Sequence, residues 1–226
     1  MTLEARLMAE SRLGRFGMIA MVAIVTILAV SGSAFVIAGA NPIEAYQAYF
    51  ITPLTREVTL LEVLNKAPPI LFTGTAVAIA FRAGYWNIGV EGQLLMGAVA
   101  AAGIGQVVHG WSPIVVLPLM VGAGALAGAL WALVPALLRV KMGIDEVVTT
   151  LLLNPVALLI VQGLLHGPWK DPETGFPESP RIAEAAEVPQ LSEFIPLIGR
   201  SRLHLGFVVA VVLIIVAWYV LSRTST

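Results

Sequence analysis

Cysteine is absent from this chain of 226 residues, which excludes disulfides, thiolate metal sites and a cysteine nucleophile. Charge is scarce. Lys+Arg number 13 and Asp+Glu 14, together 12% of residues, about half of the roughly 25% of a soluble domain. No basic excess exists, since the formal net charge is −1, and that excludes a nucleic-acid binder. The histidines His109, His166 and His204 lack metal-ligand spacing and are expected at membrane interfaces. Catalytic signatures are missing as well. No GxSxG, HExxH, GxGxxG or P-loop occurs, so a protease, a metal hydrolase or an ATPase has nothing here to work with.

What is present is apolar surface. Hydrophobic residues make up 58% of the chain and the mean hydropathy is +0.89. A single soluble core of this size cannot hide so much, so the chain reads as a multi-span membrane protein. Six apolar runs stand out: Met18–Ala40, Ala67–Phe81, Ile88–Val108, Pro113–Leu138, Ile144–Leu165 and Leu203–Leu221. They are too long and uniform for barrel strands. Helices satisfy every backbone group in lipid, so the expected fold is an all-α bundle of about six spans.

Basic residues set the orientation. With a cytoplasmic N-terminus, the inner segments carry Arg6, Arg12, Arg15, Arg82, Arg139, Lys141 and Arg223. Both long outer loops are then net acidic, which is the positive-inside pattern. The first run could instead be a signal-peptide core, with Ala38-Gly39-Ala40 as its cleavage site. Its length and its long flank favour a retained helix.

Ala67–Phe81 is short. Its 15 residues reach only about 22 Å of a hydrocarbon core of about 30 Å. A re-entrant loop is one solution, but it would place Arg139 and Lys141 outside. A short or broken crossing, continuous with the next run, keeps the charge pattern. Short or broken helices are therefore expected near residues 67–95, where transporters place binding sites.

The outer connection, residues 166–202, holds six of the 14 prolines, too many for long helices. A short helix around Arg181–Glu187 is expected there. So is either a docking role or a passive connection. Gly124 and Gly128 form a GxxxG, and Gly97 with Ala101 repeats the idea one run earlier. Such small residues let helices pack closely. Trp86, Trp111, Trp169, Trp218 and Tyr219 fall near run ends, as an aromatic belt requires.

Two polar stretches interrupt the apolar background. The first places Asn87, Glu91 and Gln93 at the start of the third run. A carboxylate at the bilayer centre costs about 2.5–3.5 kcal/mol, which a helix N-terminus offsets in part. Asn87 and Glu91, four apart, are expected on one helix face. The stretch reads either as a capped, acid-bearing helix start at the cytoplasmic interface or as a discontinuous helix beside a transport path. The second stretch places Glu146, Thr150 and Asn154 at steps of four, a polar stripe on an apolar helix. It reads either as interhelical hydrogen bonding with an acidic first turn or as part of the path. Pro155 is expected to kink that helix.

These stretches carry a resemblance. NIGVEGQ from Asn87 to Gln93, followed by LLMGA, resembles a signature of the permease subunits of bacterial ABC importers, in the branch for nucleosides and related simple sugars. EVVTTLLLN from Glu146 to Asn154 resembles that branch's second signature. Gly167-Pro168 and the LHLG of Leu203–Gly206 fit as well. The resemblance covers the chain from about residue 60 onward. Asp145 stands where the family more often has Asn, and Pro155 where an aromatic is common.

The resemblance implies a transport subunit without covalent chemistry, in the bacterial inner (plasma) membrane. The substrate path would use Asn87, Glu91, Gln93, Glu146, Thr150 and Asn154, with helix bracing as the alternative role for the two glutamates. Expected partners are a second permease subunit, an ATP-binding subunit holding ATP-Mg, an extracytoplasmic substrate-binding protein and membrane lipid, with no nucleic acid, no metal and no cofactor in this chain. Such permeases usually continue with further spans, so residues 1–226 resemble a single permease domain without its C-terminal spans. An inactive truncated permease and an ion-coupled secondary transporter are the alternatives. An aquaporin-type channel fits poorly, because Asn41-Pro42 and Asn154-Pro155 are not on half-helices in the second and fifth loops.

Asn87→Ala and Asn154→Ala are expected to lower uptake without abolishing membrane insertion. Normal uptake by both would remove the site assignment.

Overall fold

The structure is a computed structural model that describes residues 3–172, 174–195 and 202–224, with side chains from residue 16 onward. It forms two compact units, Met1–Leu60 and Leu61–Thr226. Among the described residues the regular structure is helical, apart from an isolated bridge between Gln190 and His204.

In the first unit, α1 spans Leu3–Ile37, and its apolar part is Phe16–Ile37. Gly39 turns the chain at φ 77°. Asn41 then caps α2 (Pro42–Tyr46), its side chain accepting the Ile43 N–H at 3.0 Å. Pro42 sits at N1, where its missing N–H costs nothing. This Asn-Pro pair is thus a helix start. A π-helical turn (Gln47–Ile51) and α3 (Thr52–Thr55) follow. Tyr46 returns to α1, hydrogen-bonded to Ser31 at 2.8 Å and set edge-on to Phe35.

The unit boundary falls within α4 (Glu57–Lys66). At Ala67 the chain bends by 44° into α5 (Pro68–Arg82). Pro68 and Pro69 explain the bend, because neither can donate to the carbonyls of the preceding turn. The short run therefore continues the preceding helix, not the next one as its sequence suggested. Residues 83–89 interrupt the path to α6 (Val90–Val107). Next come α7 (Pro113–Met142), α8 (Glu146–His166) and α9 (Leu205–Arg223). Among the described residues five helices are long and apolar enough to cross a membrane, or six spans if the bent α4–α5 pair is one.

Glycine sets the closest packing. A Cβ on Gly97 of α6 would lie 2.9 Å from the Gly124 carbonyl oxygen of α7, and one on Gly128 would lie 3.2 Å from the Gln93 carbonyl. Backbones this close leave no room for a side chain. α6 also packs on α8, and α5 on α9, where an apolar groove of about 350 Å³ runs between Ile70, Gly74, Ala78 and Trp218. α8 runs through Pro155 as one helix from Glu146 to His166, so the expected kink does not break it.

The outer connection docks onto the end of α6 and α7. The Ala183 N–H donates to the Gly105 carbonyl at 2.7 Å, Ala183 and Ala186 are buried with Val108 and Val116, and Trp169 lies 3.4 Å from a Cβ position on Gly103. The expected helix at Arg181–Glu187 shrinks to one 3-10 turn, Glu184–Ala186. The Ala183 N–H is committed to α6, and prolines bound the segment. A second 3-10 turn, Leu191–Glu193, is tied to the start of α9 by Leu191 N–H to Leu203 O at 2.7 Å. His204 caps α9.

Gly97→Val is expected to drive α6 and α7 apart and to destabilise the bundle by about 1–3 kcal/mol, the usual cost of overpacking. Gly122→Val, where a Cβ meets nothing within 4 Å, is the matched control. Detergent-solubilised thermal unfolding reads the difference, and equal melting of the two variants would contradict the packing account.

Candidate functional site

The chain leaves α5 through a turn at Gly84, which sits at φ 75°, a conformation suited to glycine. Tyr85 N–H bonds back to Ala80 O at 2.9 Å, and Trp86 packs on Phe81 with ring centroids 4.8 Å apart. Residues 85–89 carry no regular structure, with Asn87 N–H turned back to Tyr85 O at 3.0 Å, and α6 begins at Val90.

Asn87 is therefore not on the helix. Its expected shared face with Glu91 does not exist, because the helical period starts three residues too late. Instead Asn87 is buried, 8% exposed, and pairs with Gln93. Its Oδ1 accepts the Gly89 N–H at 2.9 Å and the Gln93 Nε2–H at 3.2 Å, and its Nδ2–H donates to Gln93 Oε1 at 3.2 Å.

α8 supplies the rest. Thr150, 1% exposed, accepts the Ile88 N–H at 3.2 Å and donates to the Glu146 carbonyl at 2.6 Å. Asn154 spans two backbone groups across the interface. Its Oδ1 accepts the Gly92 N–H at 2.9 Å and its Nδ2–H donates to Ile88 O at 3.0 Å. Gly89, the N-cap of α6, has no side chain to cap with, so α8 caps the helix from outside. Gly89 and Gly92 permit this approach, since a Cβ on Gly89 would meet Thr150 O at 2.8 Å and one on Gly92 would meet Trp131 Nε1 at 2.9 Å.

Glu146 lies apart from this cluster. It is 5% exposed and forms an ion pair with Arg139 of α7, Nη1 to Oε2 at 2.8 Å, across the turn closed by Gly143 at φ 68°. Asp145 caps α8 by accepting the Val147 N–H at 2.7 Å, as an Asn there would. Beside the pair, the Tyr85 hydroxyl is buried with no hydrogen-bond partner. Burial pushes its phenol above the ordinary value, the Glu146 carboxylate adds to that, and Arg139 opposes it. The phenol stays protonated at neutral pH.

Glu91 goes its own way. It is exposed, has no hydrogen-bond or ion-pair partner among the described residues, and lines a groove of about 160 Å³ with Pro69, Ile70, Thr73, Val90 and Leu94. Sharing that groove with the first turns of α5 means that α6 starts level with the beginning of α5, not with its end.

Depth follows from two rulers. Asn154, which holds Gly92, is eight residues beyond Glu146 on α8 (146 to 154), and Trp131, which abuts Gly92, is eight before Arg139 on α7 (131 to 139). At 1.5 Å per residue, each places the start of α6 about 12 Å inside the Arg139–Glu146 level. The start of α6 is thus set back along the bundle from the end that carries Arg139 and Lys141.

Sequence reasoning missed Arg139 as a partner of Glu146 and Trp131 as a neighbour of Gly92. Trp131 was findable, because it continues the Gly124–Gly128 face at helical spacing. Among the described residues no group of three or more His, Asp or Glu could hold a metal. The chemistry on offer is hydrogen bonding and one free carboxylate.

Residues 59–226 match the family described as branched-chain amino acid transport system / permease component. The chain is 39% identical over 202 residues to a glucose ABC transporter permease of Haloferax volcanii, covering 87% of this chain and 53% of that protein. It is 31% identical over 199 residues to a guanosine ABC transporter permease of Bacillus subtilis, covering 88% and 56%. A nucleoside ABC transporter permease of Lactococcus lactis is 26% identical over 200 residues, covering 86% and 54%. The chain thus spans about half the length of the curated relatives it matches. No solved structure gives a significant match.

Asn154→Ala is expected to uncap α6 and cost about 1–3 kcal/mol, the loss of two hydrogen bonds at about 0.5–1.5 kcal/mol each. Asn154→Asp keeps the acceptor for Gly92 N–H and loses the donor to Ile88 O. A melting point for Asn154→Ala equal to wild type would contradict the capping role.

Proposed function

This chain belongs to the branched-chain amino acid transport system permease component family, and on that footing we propose that it is a permease subunit of an ABC importer for nucleosides or related simple sugars. The observation that carries the reading is the match to nucleoside and glucose permeases over most of the chain. Asn87 and Gln93 of the first signature and Thr150 and Asn154 of the second also meet at one interrupted helix in an otherwise apolar bundle.

The chain performs no covalent chemistry. A second permease subunit completes the pathway, a separate subunit binds and hydrolyses ATP-Mg, and an extracytoplasmic binding protein delivers solute. Expression is in the cell's plasma membrane, with the N-terminus and the Arg82, Arg139 and Arg223 ends cytoplasmic. The outer connection, residues 166–202, faces the binding protein.

Alternating access suits this architecture. The bent α4–α5 pair and the interrupted entry to α6 are places where the backbone is held by side chains and not by a continuous helix ladder. Such joints change geometry more readily than unbroken helices. Asn87, Gln93, Thr150 and Asn154 hold the joint at α6, and Glu146 with Arg139 holds the α7–α8 turn.

Membrane vesicles carrying this chain with its ATPase and binding-protein partners should accumulate a nucleoside or a simple sugar only when ATP is supplied. Uptake driven by a proton gradient without ATP would replace this reading with the ion-coupled one.

A further inference from the structure

Polar groups at the start of α6 divide into two kinds. Asn87, Gln93, Thr150 and Asn154 are engaged with one another or with backbone. Glu91 is exposed and unpartnered among the described residues. It points into the α5–α6 groove with Pro69, Ile70 and Thr73, directly after the proline bend at Ala67. The two rulers put it about 12 Å inside the basic end of the bundle. Thr73 offers little relief, because its hydroxyl donates to Pro69 O at 2.8 Å.

A carboxylate at that depth does not face hydrocarbon. Helix-terminus stabilisation softens the cost but leaves an exposed oxygen pair that needs water or a donor. Resting on the permease reading, we infer that the α5–α6 groove lines the water-filled route and that the Glu91 carboxylate accepts hydrogen bonds from a pair of hydroxyl groups on the solute. Both carboxylate oxygens are available, which suits two neighbouring hydroxyls of a sugar or ribose. The amides that sequence inspection favours as solute contacts are instead positioning residues for the helix start that carries Glu91.

The absence of native cysteine makes the test direct. Glu91→Cys and, on the same groove, Thr73→Cys are each exposed to a charged, membrane-impermeant methanethiosulfonate in sealed and in opened vesicles. Val25→Cys, in the middle of α1, is the apolar reference. Labelling of either groove cysteine at least tenfold faster than Val25→Cys is expected. Rates no faster than the reference at both positions would overturn the wet groove, whether lipid or another subunit's side chain covers it. In the transporting complex, Glu91→Ala should raise KM at least tenfold for radiolabelled guanosine or glucose, whichever the wild type takes up, with Glu91→Gln intermediate. An unchanged KM in Glu91→Ala would overturn the solute contact. Failure of the wild type to show any ATP-dependent uptake would sink the permease reading separately, while the labelling rates would still decide whether the groove is wet.

Discussion

The side-chain amide of Asn154 is the interaction on which the rest of this bundle turns. The first N–H groups of a helix have no partner within the helix, and when the helix begins inside a packed bundle its neighbours must supply one. α6 begins with glycine at its N-cap, so it has no cap of its own. Asn154 supplies one from α8, taking the Gly92 N–H and giving its own N–H to Ile88 O. Thr150 does the same for Ile88 N–H one turn earlier. The entry to α6 is thereby written partly into a segment more than sixty residues away.

Close approach makes that reach possible. Asn and Thr are short, and they bridge only if the two backbones nearly touch. Gly89 and Gly92 remove the side chains that would stand between, and Gly97 of α6 with Gly124 and Gly128 of α7 continue the same economy along the α6–α7 contact. Packing and capping are therefore one design, in which the small residues set the distance and the polar ones use it. In lipid, where no hydrophobic force gathers helices, this combination is what association has to work with.

The outer connection obeys a related rule. Its prolines deny it long helices, so its backbone groups are satisfied by docking: Ala183 on Gly105, Leu191 on Leu203, Leu205 on Pro189. Alanines 183 and 186 then sit in the apolar mouth formed by Val108 and Val116. An ordered platform results at the end of the bundle opposite the Arg139–Glu146 pair. The exposed carboxylate of Glu91 lies between these two ends, without an ion-pair partner among the described residues.

Much of this was legible in residue order alone. Hydropathy marked the crossing segments, because lipid demands long apolar runs. The shortness of Ala67–Phe81 announced a break, and the spacing of Glu146, Thr150 and Asn154 announced one stripe. Residue order did not show that the break joins the preceding helix, that Asn87 lies before α6 and pairs with Gln93, or that Glu146 turns to Arg139. Those depend on where helices start and on what stands opposite. Periodicity describes a residue's place around its own axis. Which amide becomes a cap, and which carboxylate is left alone, was decided only when α5, α7 and α8 closed around the start of α6.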